Sequence, residues 1–143
     1  MSVANDSGTA GLSLSVAAPV MSDSFTMSGW FKLFNTDGHN PLLIMGDNAT
    51  SDYEDAEVHF NTLRLAWRAS AGKPAYNSGF VWPDLTLWHL VHYIKSSDNS
   101  HRIVLDGNWT NSTWISNKIN PVQQTLFEIM RDQQAEVMSG RAA

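Results

Sequence analysis

Apolar and polar residues alternate along most of this chain. Leu12, Leu14 and Val16 alternate with Ser13, Ser15 and Ala17, the period-two pattern of a strand with one buried face. The run from Phe25 to Phe34 repeats it more strongly: Phe25, Met27, Gly29 and Phe31 share one face, and Thr26, Ser28, Trp30 and Lys32 the other. Leu42 to Met45, Val58 to Phe60 and Leu63 to Trp67 read as shorter strands. Leu85 to Lys95 reads as a long one, with Trp88, Leu90, His92 and Ile94 opposing His89, Val91 and Tyr93, and His101 to Gly107 returns with Ile103 and Leu105 inward. The stretches between them are turn chemistry: Asn35 to Pro41, Gly46-Asp47-Asn48, Gly72-Lys73-Pro74 and Ser96 to Ser100. Residues 1–11, small and polar from Asn5 onward, read as a flexible arm. Strands recurring about every ten residues with turns between them predict a sandwich or barrel. No alternation of helices with strands points to a parallel sheet.

One segment supports two readings. Asn120 suits a helix N-cap, Pro121 the first helical position, and Val122, Leu126, Ile129, Met130 and Val137 lie at spacings compatible with a helical stripe. The other reading takes Thr125 to Met130 as a short strand followed by a polar loop through Gln133 and Gln134.

Length and composition narrow the class. A chain of 143 residues holds one domain with a single core. Apolar residues are 43%, enough to build that core, whereas charged residues are 16%, below the usual share of about 25%. Nine Lys and Arg against 14 Asp and Glu give a net charge of −5, and the basic residues are scattered, which disfavours nucleic acid and a basic membrane-binding face. There is no Cys, so disulfides, thiolate metal sites and Cys nucleophiles are excluded together. No apolar run approaches the roughly 18 residues that a membrane-spanning helix needs. The opening residues lack the basic and apolar regions of a signal peptide, and none is expected.

Two stretches together carry a resemblance. Phe25-Thr-Met-Ser-Gly-Trp-Phe-Lys32 is one; the other is Trp88-His-Leu-Val-His-Tyr-Ile-Lys95, a polar hairpin, and Arg102-Ile-Val-Leu-Asp-Gly107. They resemble the laminin-G-like members of the concanavalin A-like lectin/glucanase superfamily, over roughly residues 12–142. Val137-Met-Ser-Gly-Arg-Ala142 looks like that family's approach to its final strand. The resemblance implies an all-β fold, an antiparallel two-sheet jelly-roll sandwich, over residues 12–143. It also implies a strand after Asp106-Gly107, which favours the strand reading of 125–130. In the family the partner of the opening strand follows the Gly-Arg pair, here Gly140-Arg141. The domain is therefore expected to lack its final strand, supplied either by further chain or by a neighbouring subunit.

The superfamily includes glucanases, whose motif sets Glu, Asp and Glu at alternate positions of one strand. The acidic cluster Asp52-Tyr-Glu-Asp-Ala-Glu57 fails this in both registers. Placing Asp55 and Glu57 last puts Tyr53 first; placing Glu54 first puts Ala56 and Val58 after it. The cluster reads as a solvated loop, and a glycoside hydrolase is disfavoured. The five His residues (His39, His59, His89, His92 and His101) form no zinc-binding spacing, and no nucleophile elbow or phosphate loop occurs. No catalytic residue, metal site or cofactor is predicted. Asp47, Asn48, Asp52 and Asp55 remain a weaker candidate set for a rim calcium ion.

The expected function is therefore a non-catalytic binding or structural module. Aromatics near turns, Trp67, Tyr76, Trp82, Trp109 and Trp114, are the candidate glycan contacts, because sugar rings stack on exposed aromatic faces. Trp30 and Trp88 read as core packing, and Asp106-Gly107 as a turn former. A laminin-G-like module without Cys or signal peptide suits a virion surface, as a decoration, fibre or tail component, with other subunits of the particle as partners. The alternative is a secreted or cell-surface carbohydrate-binding domain of a larger protein. On the virion reading the motifs at Asn48, Asn108 and Asn111 are chance matches to the glycosylation acceptor.

Overall fold

The alternation seen in the sequence becomes two stacked sheets. The computed structural model describes residues 3–5, 12–14, 24–37, 39–47, 52–68, 75–98, 100–116, 126–129 and 140–142. Among them are twelve strands and no helix. One sheet has the order β1 (Val3–Asn5), β12 (Gly140–Ala142), β3 (Phe25–Leu33), β8 (His89–Lys95), β9 (Ser100–Leu105) and β10 (Ile115–Ser116). The other runs β2 (Leu12–Leu14), β11 (Leu126–Ile129), β4 (His39–Asp47), β5 (Asp52–His59), β6 (Thr62–Arg68) and β7 (Ala75–Val81). Every pairing is antiparallel. This is the expected jelly-roll sandwich.

The core lies between the sheets. Met27, Phe31 and Leu33 from β3, and Val91 and Tyr93 from β8, face Leu42 and Leu43 from β4 and Ala56 and Val58 from β5. Each large side chain removed from water contributes about 1.5–3 kcal/mol. Gly29 is part of this packing rather than a weak point in the strand. A Cβ there would stand 2.9 Å from two ring atoms of Phe31, so the ring occupies the space a side chain would need. The β5–β6 connection is a two-residue turn in which Phe60 and Asn61 both have positive φ, at 45° and 66°.

Several expectations are corrected. The expected arm over residues 1–11 contains strand β1, paired with β12 through Val3 and Ala142. Gly140–Ala142 is itself a strand, seated between β1 and β3, and the opening strand β2 takes β11 as its partner instead of a segment beyond Arg141. The strand reading of 125–130 holds, as β11 bridges β2 and β4. The acidic cluster is not a loop: all of it lies in β5, where Ala56 and Val58 are buried and positions 55 and 57 fall on the opposite parity. The long strand expected over 85–95 begins only at His89. Asp84 accepts hydrogen bonds from the Thr86 and Leu87 N–H groups, at 2.7 and 2.8 Å, and curls residues 84–87 into a turn.

Candidate functional site

Strand parity separates the side chains of β3, β8 and β9 into two sets. Inward go Phe25, Met27, Phe31, His89, Val91, Tyr93, Lys95, His101, Ile103 and Leu105. Outward go Thr26, Ser28, Trp30, Leu90, His92, Ile94, Arg102 and Val104, and the ladders set them in rows. Trp30 lies opposite Leu90, Ser28 opposite His92 and then Val104, and Thr26 opposite Ile94 and then Arg102.

The chain leaving β9 folds back towards this outer face. Asp106 and Gly107, with φ of 50° and 71°, form a tight turn closed by the Asn108 N–H on the Leu105 carbonyl at 2.9 Å. Arg102 then anchors the loop from below. Its Nε donates to the Ser112 hydroxyl, and its Nη2 donates to the Trp109 carbonyl at 2.5 Å and the Ser112 carbonyl at 3.2 Å. Trp109 is stacked on His92 with ring centroids 6.2 Å apart, while His92 Nδ1 is hydrogen-bonded to the Ser28 hydroxyl at 2.7 Å. The Arg102 guanidinium carbon lies 5.2 Å from the Trp109 ring and 5.6 Å from the Trp114 ring. Both indoles stay half in solvent, 51% and 45% exposed, and Trp30 on the same sheet face is 46% exposed. Beside Trp114, over Thr26 and Ile94, is an open cleft of about 430 Å³ with Ser24, Ser96 and Lys95 also in its lining.

Beneath this face the same strands carry a polar interior. His89 is buried and donates its Nδ1–H to Asp106 at 2.7 Å; Asp106 also accepts the Leu90 N–H at 2.8 Å. One carboxylate thus ties the start of β8 to the end of β9, and the Asp-Gly pair does more than turn the chain. His89 Nε2 lies 3.8 Å from Asp84, whose carboxyl is held below its ordinary pKa by the Leu87 N–H first and the Thr86 N–H next. At the other end of β8, the Tyr93 hydroxyl is hydrogen-bonded to His101 Nδ1 at 2.6 Å. Burial, aided by the charge of Lys95 and opposed by Asp98, lowers the His101 pKa to about 4, so the ring is neutral at pH 7.

The sequence-predicted contacts divide accordingly. Trp109 and Trp114 come together on the outer face around Arg102. Trp82 does not join them: it is 5% exposed, packed edge-on against His89 with centroids 5.0 Å apart, and its ring face is closed to a ligand. Trp67 and Tyr76 occupy positions in β6 and β7 of the other sheet, on the register of the buried Leu63. Trp30 and Trp88, expected in the core, are both partly exposed. For Trp30 the signal was present in the alternation, which set it with Thr26, Ser28 and Lys32. Arg102 and His92 were missed because nothing local marks a cation as a neighbour of two indoles brought in by a later loop. Of the calcium candidates, Asp47 and Asp52 pair at one end of the β4–β5 ladder, Asp55 lies further along opposite Ile44, and Asn48 is outside the described residues. Among the described residues no group of three or more His, Cys, Asp or Glu is arranged to hold a metal.

Neither a family model nor a curated protein matches this sequence. Solved structures do. Over 96% of its length the chain is similar to domains LG4-5 of the mouse laminin alpha1 chain, at 11% identity and a TM-score of 0.72, and it spans 38% of that chain. It is similar over 89% of its length to the LG1-3 region of the laminin alpha2 chain, at 12% identity and a TM-score of 0.65, spanning 27% of it. A third likeness is to the CBM40 domain of Ruminococcus gnavus IT-sialidase bound to alpha2,3 sialyllactose: 9% identity, 84% of this chain, 74% of that one, TM-score 0.63. At such identities these likenesses show the fold alone, an antiparallel jelly-roll sandwich similar to that of the laminin LG domains.

Proposed function

We propose that this chain is a non-catalytic glycan-binding module, and that sugar rings stack on Trp109 and Trp114 at the outer face of the β3–β8–β9 sheet. The observation that carries this reading is the pair of half-exposed indoles gathered around a bonded arginine, one of which, Trp114, lines an open cleft. An indole left in water forfeits its burial energy, whereas a pyranose face restores it; hydroxyl and backbone groups on the cleft wall can then bind the sugar hydroxyls. The cleft volume falls within the roughly 300–1,000 Å³ of small-molecule sites. A carbohydrate-binding domain of the same fold, seen with sialyllactose, supports the class of ligand. Display on a virion or another extracellular surface belongs to the same proposal and rests on the sequence reasoning alone.

A glycan array with the purified chain tests this, followed by titration of each hit through tryptophan fluorescence. Trp109→Ala and Trp114→Ala should each weaken binding by about threefold to tenfold, the range one aromatic contact supplies. An array with no binder, or hits indifferent to both substitutions, overturns the proposal.

A further inference from the structure

We propose that one end of the sandwich is a self-association surface, on which a second copy of this chain docks through the same apolar patch. The inference stands apart from the glycan-binding reading and uses none of its residues.

The patch is built from the turns at the end where β3 stops and β8 begins. Among the described residues nine large apolar side chains are exposed, and six of them belong to this end: Phe34, Phe60, Val81, Leu85, Leu87 and Trp88. Phe60, Val81 and Leu87 are 65%, 65% and 60% exposed, more than Trp109 or Trp114. Contacts between their neighbours hold them together. Thr36, two residues beyond Phe34, donates its hydroxyl to the side chain of Asn61, next to Phe60. The Asn61 carbonyl accepts the Trp82 N–H at 2.6 Å, which fixes Val81 beside the same turn. Trp82 packs on His89, the residue after Trp88, and Asp84 draws in the Thr86 and Leu87 N–H groups. The apolar residues are thus carried on bonded turns, which lose little freedom on docking.

Charge selects the class of partner. Segments 34–37, 60–62 and 81–88 contain no Lys or Arg. Their charged residues are Asp37 and Asp84, and the Asp84 carboxylate is engaged within its own turn by Thr86 and Leu87. A surface that enters a lipid headgroup layer surrounds its apolar residues with cations, whereas the core of a protein–protein interface is depleted of charge and rich in Trp and Phe. Area then selects the copy. An interface of ordinary size buries about 800 Å² on each partner, and in homodimers about 65% of it is apolar, so each side needs about 500 Å². Taken at their exposed fractions, the six side chains supply roughly 500 Å², a large patch for a monomer. An identical patch on the partner meets the need on both sides at once, in the two-fold arrangement by which most soluble oligomers form. The position is compatible as well. The Trp114 cleft is lined by Phe25, Thr26, Ile94 and Lys95, at the opposite end of the β3–β8 ladder from Phe31 and His89, so pairing through the patch leaves both clefts uncovered.

Sedimentation velocity on the intact chain, from about 1 to 200 μM, tests this. The expected result is a reversible monomer–dimer equilibrium that shifts with concentration. Phe60→Asn and Leu87→Ser should each weaken it by at least about tenfold, since each acts twice across the two-fold. Asn suits the positive φ of position 60, so the first variant keeps its turn, and thermal unfolding of both verifies that the sandwich is intact. Because each copy carries a net charge of −5, the dimer should tighten as salt is raised. A monomer at every concentration, a dimer indifferent to both substitutions, or a dimer that salt dissociates overturns the proposal. So does flotation of the chain with phosphatidylcholine vesicles that Phe60→Asn and Leu87→Ser abolish, which would assign the patch to lipid.

Discussion

The two faces of strand β8 put similar side chains to opposite uses. On the inner face His89 sits against Trp82, sealed from water and bonded to one aspartate. On the outer face His92 sits against Trp109, open to water and bonded to a serine. Each is a histidine beside an indole, and the two differ in parity by a single step. Inside, the aromatic–histidine pair carries a carboxylate across from β9 and fastens two strand ends. Outside, it props up a ring that stays half exposed. A residue's chemistry in this fold is therefore read from the side of the sheet it reaches before its type is considered.

The sharpest way to break the contrast is to remove the inner fastening. Asp106→Ala strips the buried His89 of its partner, frees the Leu90 N–H and puts alanine at positive φ; it should cost about 3–4 kcal/mol in urea unfolding. Asp106→Asn, which tolerates that backbone and keeps an acceptor, should cost about half as much. Equal losses would show that the carboxylate is not the fastening group.

Acid should act on the inner face next. With a folded pKa of about 4, below the 6.5 of an unperturbed histidine, His101 binds protons more readily in the unfolded chain. Its contribution is fully present above pH 6.5 and is lost as pH falls towards 4. By pH 5 the loss should reach about 2 kcal/mol, and His101→Gln should remove that part of the pH dependence. A slope between pH 6.5 and 4 that is unchanged in the variant would place the titration elsewhere. The smallest effect belongs outside. Trp30→Ala, on the exposed row with Leu90, should change stability by less than about 1 kcal/mol in thermal unfolding, and a larger loss would mean the ring is packed after all.

Much of the sandwich was legible because alternation is local. The Phe25–Leu33 and His89–Lys95 faces fell out of single strands read by themselves, down to Gly29 lying on the Phe31 side. What was not legible depended on pairing between distant segments. The acidic stretch 52–57 carries poor strand formers, and its strand is imposed by the β4 and β6 ladders on either side. Val3–Asn5 is too short to declare itself and is a strand because Gly140–Ala142 offers it an edge. The candidate site shows the same division. Trp109 and Trp114 were picked out by residue type, but their gathering around Arg102 depends on a turn at Asp106-Gly107 and three bonds to one guanidinium. Trp82 had the same local credentials and ended inside.

The position of β12 also bears on how fast the molecule reaches this state. Gly140–Ala142 lies between Val3–Asn5 on one side and Phe31–Leu33 on the other, so that sheet joins residues separated by nearly the whole sequence. Neither ladder can form until those last residues have been synthesised. Closing loops of that size comes before any contact rewards it, and topologies dominated by such distant pairings fold on the order of milliseconds to seconds rather than microseconds. During that interval β3 presents an unpaired edge, with Lys32 at the centre of the stretch that β12 will cover. A charge in the middle of a waiting edge is one of the ways a nascent sheet resists pairing with the wrong chain.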